Sequence, residues 1–187
     1  MAESLEQQYR PLLDAISFAG RAHHGQLRKD GRTPYATHVF RVCLIVRDVF
    51  GIADPQVLAA AVLHDTIEDT TTDFDDVHEQ FGRDVAEWAA ALSKDKRLPY
   101  EEREQAYCRT LAGAPWQVQV GKLADVFDNL LDTDYLPRAR QPEALRKKKR
   151  YLDALRSGLK PEAAAAFAVV ARLAEELEAK LKAGKDA

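Results

Sequence analysis

Cysteine is scarce in this 187-residue sequence: Cys43 and Cys108 stand far apart and form no CxxC pair. No disulfide framework follows from them, which agrees with a reducing compartment, and Cys43, inside an apolar helical run, reads as a small core residue. Long apolar runs are missing too. The longest aliphatic stretches fall well short of the ~18 residues that a membrane span needs. The opening MAESLEQQYRPLL lacks the basic segment and apolar core of a signal peptide. Nor is one sign of charge in large excess: at −3 net, nothing suggests binding along a nucleic-acid backbone. There is no internal repeat, no low-complexity linker and no segment that alternates as a strand would. The expectation is a cytoplasmic protein with no membrane and no nucleic acid among its partners, and with room for a homo-oligomer. A composition 46% hydrophobic and 30% charged suits an ordinary globular chain.

What is present is helical periodicity. Apolar residues recur at three- and four-residue spacing nearly throughout, which predicts an all-α fold. A first helix carries Tyr9, Leu12, Leu13, Ile16 and Ala19 and stops around Gly25. After the basic loop GQLRKDGRTPY, Thr37 is expected to cap a helix running to Gly51. Asp54 and Pro55 read as N-cap and first position of the next helix, and Thr72 to Asp75 as a capping box before a short helix ending near Gly82. Val85, Trp88, Ala89 and Leu92 mark another helix before the charged loop SKDKRLP. Further helices are expected over roughly 100–112, 116–134, 142–157 and 161–183, with Pro142 and Pro161 at first positions. The basic run RKKKR at 146–150 sits between apolar residues at helical spacing and reads as a solvated helix face. Residues 1–187 read as a single domain, because the C-terminal helices at about 142–183 each carry an apolar stripe that needs covering.

One stretch does not fit a purely structural helix. AAAVLHDTIEDT, residues 59 to 70, runs from aliphatic residues straight into His64, Asp65, Glu68 and Asp69. On a continuous helix His64 and Glu68 share a face, as do Asp65 and Asp69, so two polar pairs stack one turn apart at the end of an apolar rod. Burying several carboxylates together is costly without a compensating positive charge. Either the helix end emerges into water, or a divalent cation sits there, since imidazole and carboxylate are ligands that Mn, Fe and Zn accept. In the second case the first pair would hold the metal, and the second would face the attacking water.

Two adjacent residues cannot complete such a site. His38 opens the preceding helix, and Asp125 and Asn129 lie four apart in GKLADVFDNLLD on a helix that looks core-facing, where a buried acid needs a partner. His23, His24 and His78 read as surface or structural residues.

The segments HHGQLRKDGRTPYATH, AAAVLHDTIEDTTT and VGKLADVFDNL, in that order, resemble the hydrolase domain of the stringent-response enzymes within the HD phosphohydrolase superfamily. The stand-alone small alarmone hydrolases are similar in length, and the likeness covers roughly residues 5 to 135. The resemblance implies hydrolysis of the 3′-diphosphate of ppGpp and pppGpp, with Mn²⁺ held by His38, His64, Asp65 and Asp125. It assigns Glu68 and Asp69 to positioning or deprotonating the attacking water, and Arg28, Lys29, Tyr35 and Asn129 to the nucleotide. The chain departs from the family at Asp132, where long bifunctional relatives more often carry threonine; an acid there would repel a phosphate placed nearby. Two other functions compete: an HD phosphohydrolase acting on another nucleotide, and a catalytically silent module that binds alarmone.

Overall fold

Ser4 opens the first helix: its hydroxyl accepts from the Gln7 amide while the Gln7 side chain accepts from the Ser4 amide, a capping box that sets α1 (Leu5–Ala22). The computed structural model describes residues 4–183, and its regular elements there are helical, as the periodicity predicts. α2 (Ala36–Leu44) runs on through a π-helical turn, Ile45–Val49, to Gly51, whose φ of 74° lets the chain reverse. α3 (Pro55–Leu63) starts as expected, with the Asp54 carboxylate accepting from the amides of Gln56 and Val57. There follow α4 (Thr66–Asp69), α5 (Phe74–Phe81), α6 (Arg83–Leu92), α7 (Tyr100–Gly113), α8 (Trp116–Leu131), α9 (Gln141–Ser157) and α10 (Ala164–Ala183).

Five boundaries differ from the sequence reading, the first three for a local reason. Thr37 does not cap α2: a bridge between Leu27 and Pro34 closes the basic loop, and the Tyr35 amide donates to Gln26 O at 2.8 Å, so the chain enters the helix at Ala36. The helix expected through residues 59 to 70 is not continuous. It ends at Leu63, where the Thr66 hydroxyl takes the Leu63 carbonyl at 2.7 Å, and Asp65 starts the separate turn α4. The α5 capping box is one residue later than expected, Asp73 with Asp76, because both carboxylates reach the required amides. α8 tightens into a 3-10 turn at Asp132–Tyr135, and a similar turn at Pro161–Ala163 precedes α10.

α3 and α8 are the inner helices. Every residue from Val57 to Leu63 is at most 3% exposed, and in α8 the run Val118 to Val126 is buried throughout. α1, α2 and α6 pack on α3, while α2, α6, α9 and α10 pack on α8. The buried apolar residues of these helices form one continuous cluster, to which each fully buried Val or Leu side chain adds about 1.5–3 kcal/mol. Charged residues on the inner helices therefore arise from a rigid apolar support. No helix among the described residues is long and apolar enough to cross a membrane.

Candidate active site

Three elements meet where the polar residues leave the core. His38 comes from the first turn of α2, His64 and Asp65 from the break between α3 and α4, and Asp125 from the middle of α8. Ligand atoms of His38, His64 and Asp65 all lie within 4.8 Å of one another. Asp125 Oδ1 stands 3.3 Å from His38 Nε2 and 4.0 Å from His64 Nε2. His64 Nδ1 is 2.8 Å from the Ala61 carbonyl, which can only accept, so Nδ1 carries the proton. Its Nε2 is buried without a hydrogen-bond partner among the described residues, 2.9 Å from Asp65 Oδ2. An orphaned imidazole nitrogen facing carboxylate oxygens is what a divalent cation would satisfy, and the donor set of two imidazoles and two carboxylates suits one.

The charges of the cluster explain its protonation. Burial pulls the His38 pKa down, but hydrogen bonds with Asp125, Asp128 and Asp65 outweigh it and push it up to about 10. Burial likewise pushes the carboxyls up; His64 and His38 hold Asp65, and Lys122 holds Asp125, well below the usual carboxylate range. Lys122 Nζ donates to Asp125 Oδ2 at 2.7 Å and lies over the rings of Tyr107 and Tyr151. Tyr35 donates its hydroxyl to Asp65 Oδ2 at 2.6 Å, and burial followed by the Asp65 charge keeps that phenol protonated.

Beside the cluster opens a cleft of about 850 Å³. Glu68 and Asp69 line it from α4. Glu68 accepts from the Lys94 amide at 2.9 Å and pairs with Lys94 Nζ at 3.3 Å, while Asp69 pairs with Lys96. Asn129 donates to the carbonyl and Oδ1 of Asp125 and accepts from Lys29 Nζ at 3.2 Å. The far wall belongs to α9. Eight cationic side chains line the cleft: Lys29, Lys94, Lys122, Arg140, Arg146, Lys147, Lys148 and Arg150.

Nine of the ten residues singled out in the sequence thus surround one space: His38, His64, Asp65 and Asp125 at its root, and Glu68, Asp69, Lys29, Tyr35 and Asn129 around it. Arg28 is beside them but does not line the cleft: its guanidinium lies 5.6 Å from the centre of the Tyr35 ring. It is 8% exposed, outside the cleft lining, and bound to Asp128 and Asp132 at 3.2 and 2.5 Å. Asp132 is also turned away from the cleft, so the repulsion expected of an acid there is absorbed by arginine. The pairs expected on a continuous helix give way to a different arrangement, in which His64 faces Asp65 while Lys94 takes Glu68.

The basic run at 146–150 is a correction. Lys147, Lys148 and Arg150 are partly buried, and they line the cleft together with Arg146, because α9 is covered by α7 and α8 on one side and α10 on another. Lys94, Lys96 and Lys122 also carried no role in the sequence. For Lys122 a signal existed: it stands three residues before Asp125 on an otherwise apolar helix, where a lysine needs a partner. His23 is buried against the Tyr35 ring at 4.9 Å, a structural place, while His24 and His78 are exposed.

Residues 15–155 match the HD domain family. The guanosine-3′,5′-bis(diphosphate) 3′-pyrophosphohydrolase MESH1 of Xenopus tropicalis is 39% identical over 122 residues, 65% of this chain and 68% of that protein. Its human counterpart is 41% identical over the same shares. Among solved structures, a metazoan orthologue of SpoT that hydrolyses ppGpp and plays a role in starvation responses superposes with a TM-score of 0.77 at 30% identity. That superposition covers 92% of this chain and 97% of the other.

Proposed function

Since the chain belongs to the HD domain family, and to its ppGpp-hydrolase branch, we propose that it is a guanosine-3′,5′-bis(diphosphate) 3′-diphosphatase that releases pyrophosphate from (p)ppGpp and leaves GDP or GTP. The observation that carries the proposal is the junction of the His38, His64 and Asp65 cluster with a cleft lined by eight cationic side chains. A nucleotide with diphosphates at both ends is the kind of ligand such a lining attracts.

His38, His64, Asp65 and Asp125 would hold the cation, which we take to be Mn²⁺. When bound, it would lower the pKa of the attacking water and offset charge on the phosphoryl oxygens. Water adds to the phosphorus next to the ribose, the bond from that phosphorus to O3′ breaks, and O3′ gains a proton. Glu68 is the base that takes the proton of the water, and Asp69 orients that water from the next position. Lys94 and Lys96 keep the two carboxylates in place. Lys29 and Asn129, joined to each other, meet the nucleotide, and Tyr35 fixes Asp65 from the opposite side. Lys147, Lys148 and the arginines of α9 meet phosphate from the far wall, Arg with the option of a two-pronged grip. We place the protein in the cytoplasm, as one domain over residues 1–187, with no membrane or nucleic-acid partner.

The test is to strip the protein of metal and incubate it with ppGpp, with and without Mn²⁺, following products by anion-exchange chromatography. Manganese-dependent appearance of GDP with intact pyrophosphate is the expected result. Absence of turnover in protein shown to hold metal would overturn the substrate and leave another nucleotide, or binding without hydrolysis, as the function.

A further inference from the structure

α8 addresses both ring nitrogens of His38. Asp125 faces Nε2 at 3.3 Å, and Asp128, three residues on, lies 2.6 Å from Nδ1. Asp128 is fully buried, and a lone carboxylate there would be costly. Two arginines from the other side of the loop compensate it. Arg28 Nη2 donates to Asp128 Oδ2 at 3.2 Å, and Arg41 Nε stands 2.6 Å from Oδ1. Both arginines also engage Asp132, at 2.5 and 3.2 Å, so two acids and two guanidiniums form a box of zero net charge behind the imidazole. None of these four side chains lines the cleft.

We infer that Asp128 is a positioning residue of the metal centre: accepting from Nδ1–H, it fixes the His38 tautomer and directs the Nε2 lone pair at the cation. A carboxylate behind a ligating imidazole orients the ring and makes it a stronger donor, and loss of such a partner typically weakens metal affinity ~10–100-fold. His64 receives the same tautomer from a neutral carbonyl, Ala61 O, and so lacks the added basicity. Arg28 and Arg41 act through Asp128 by holding its carboxylate in place and balancing its charge in a dry site. This places Arg28, which the sequence reading set against the nucleotide, in support of the metal. The inference rests on His38 being a metal ligand.

Asp128→Asn keeps the size and one acceptor oxygen but removes the charge, and Asp128→Leu removes both. Mn²⁺ affinity, read by chelator competition without substrate, should weaken by ~10-fold or more in the first and further in the second. Activity of Asp128→Asn should return in excess Mn²⁺ with kcat close to that of the unaltered protein, while the melting temperature of its metal-free form reports any purely structural loss. Unchanged Mn²⁺ affinity in folded Asp128→Asn overturns the inference. A second measurement needs no variant. With diamagnetic Zn²⁺ bound, long-range ¹⁵N spectra of the histidines should show His38 protonated at Nδ1 and metal-bound at Nε2, and the reverse assignment also overturns it. If the unaltered protein binds neither cation, the metal reading of His38 itself has failed, which is a distinguishable result.

Discussion

Lys94 meets Glu68 from two directions, its amide donating at 2.9 Å and its ammonium standing 3.3 Å from the other oxygen. Both partners are mostly withdrawn from water, so the carboxylate is held at the cleft edge in a single orientation. Glu68 makes no contact with His38, His64, Asp65 or Asp125 among the hydrogen bonds and ion pairs of the described residues. That separation allows its role to be tested apart from metal binding. Glu68→Gln should leave Mn²⁺ affinity unchanged and lower kcat by ~10²–10⁴-fold, the contribution of a positioned base. Loss of metal in that variant would show that Glu68 is a ligand instead.

Arg28 and Lys29 are adjacent in sequence but should fail in different ways. Lys29 lines the cleft and reaches Asn129, so Lys29→Ala removes a charge-assisted contact worth ~1.5–3 kcal/mol to a phosphate, a rise of roughly 10–100-fold in KM with little change in melting temperature. Arg28→Ala leaves Asp128 and Asp132 buried with Arg41 as their remaining guanidinium partner. Breaking a buried pair costs about 3–5 kcal/mol, and Tm should fall by roughly 6–20 °C. Steady-state kinetics and thermal melts on the two variants separate the roles. A large KM effect without destabilisation in Arg28→Ala would return that residue to the substrate.

Lys148 gives a pH dependence. Burial pulls its ammonium down to about 7; Lys122, Lys29 and Lys94 add to the effect and Asp125 opposes it. A lysine with a depressed pKa is charged below that value and neutral above it. Its attraction for an anionic substrate therefore fades as pH rises through about 7, and kcat/KM, which reports the free enzyme, should fall over the same range. Lys148→Arg stays charged and should flatten that limb, whereas Lys148→Met should lower kcat/KM at pH 6 to the alkaline level. A profile identical in all three proteins would remove Lys148 from substrate binding.

The sequence was informative where a signal is local. Asp54 and Pro55 marked the start of α3 to the residue, and Gly82 marked the end of α5, because caps depend on a few neighbouring amides. His38, His64, Asp65 and Asp125 stood out as chemistry-bearing residues on apolar helices, and the structure brings them together. What stayed hidden depends on contacts across long stretches of chain. Arg28 turns inward because Asp128 and Asp132, about a hundred residues later, stand behind it. The α9 run looked like a solvated face because no local rule says that α7, α8 and α10 will cover that helix. The break after Leu63 turned on a single threonine hydroxyl satisfying a carbonyl, which periodicity does not register.

Gly158 offers a stability test remote from the cleft. A Cβ added there would lie 1.7 Å from the Ala112 carbonyl oxygen, a backbone atom at the end of α7 that cannot swing away. The same loop is fixed by Gln119, which donates to Gly158 O at 2.8 Å and accepts from the Lys160 amide at 2.9 Å. Gly158→Ala must push α7 from α9 and should cost about 1–3 kcal/mol or more, a fall in Tm of at least roughly 2–12 °C. A variant that melts like the unaltered protein would show that the loop repacks freely.

Metal removal should be visible without any substrate. The cluster draws ligands from α2, from the α3–α4 break and from α8, so a cation there cross-links three parts of the fold that are far apart in sequence. Unfolding separates them, and binding to the folded chain alone stabilises it: at a hundred times Kd the gain is about 2.7 kcal/mol, or roughly 5–11 °C in Tm. Asp65 is the ligand whose loss should be felt most. It stands 2.9 Å from the His64 nitrogen and accepts from the Tyr35 hydroxyl. Asp65→Ala should abolish both the thermal shift with Mn²⁺ and turnover, while Glu68→Gln, slowed in turnover, should keep the shift in full. A full Mn²⁺ shift in Asp65→Ala would place the cation elsewhere on the chain.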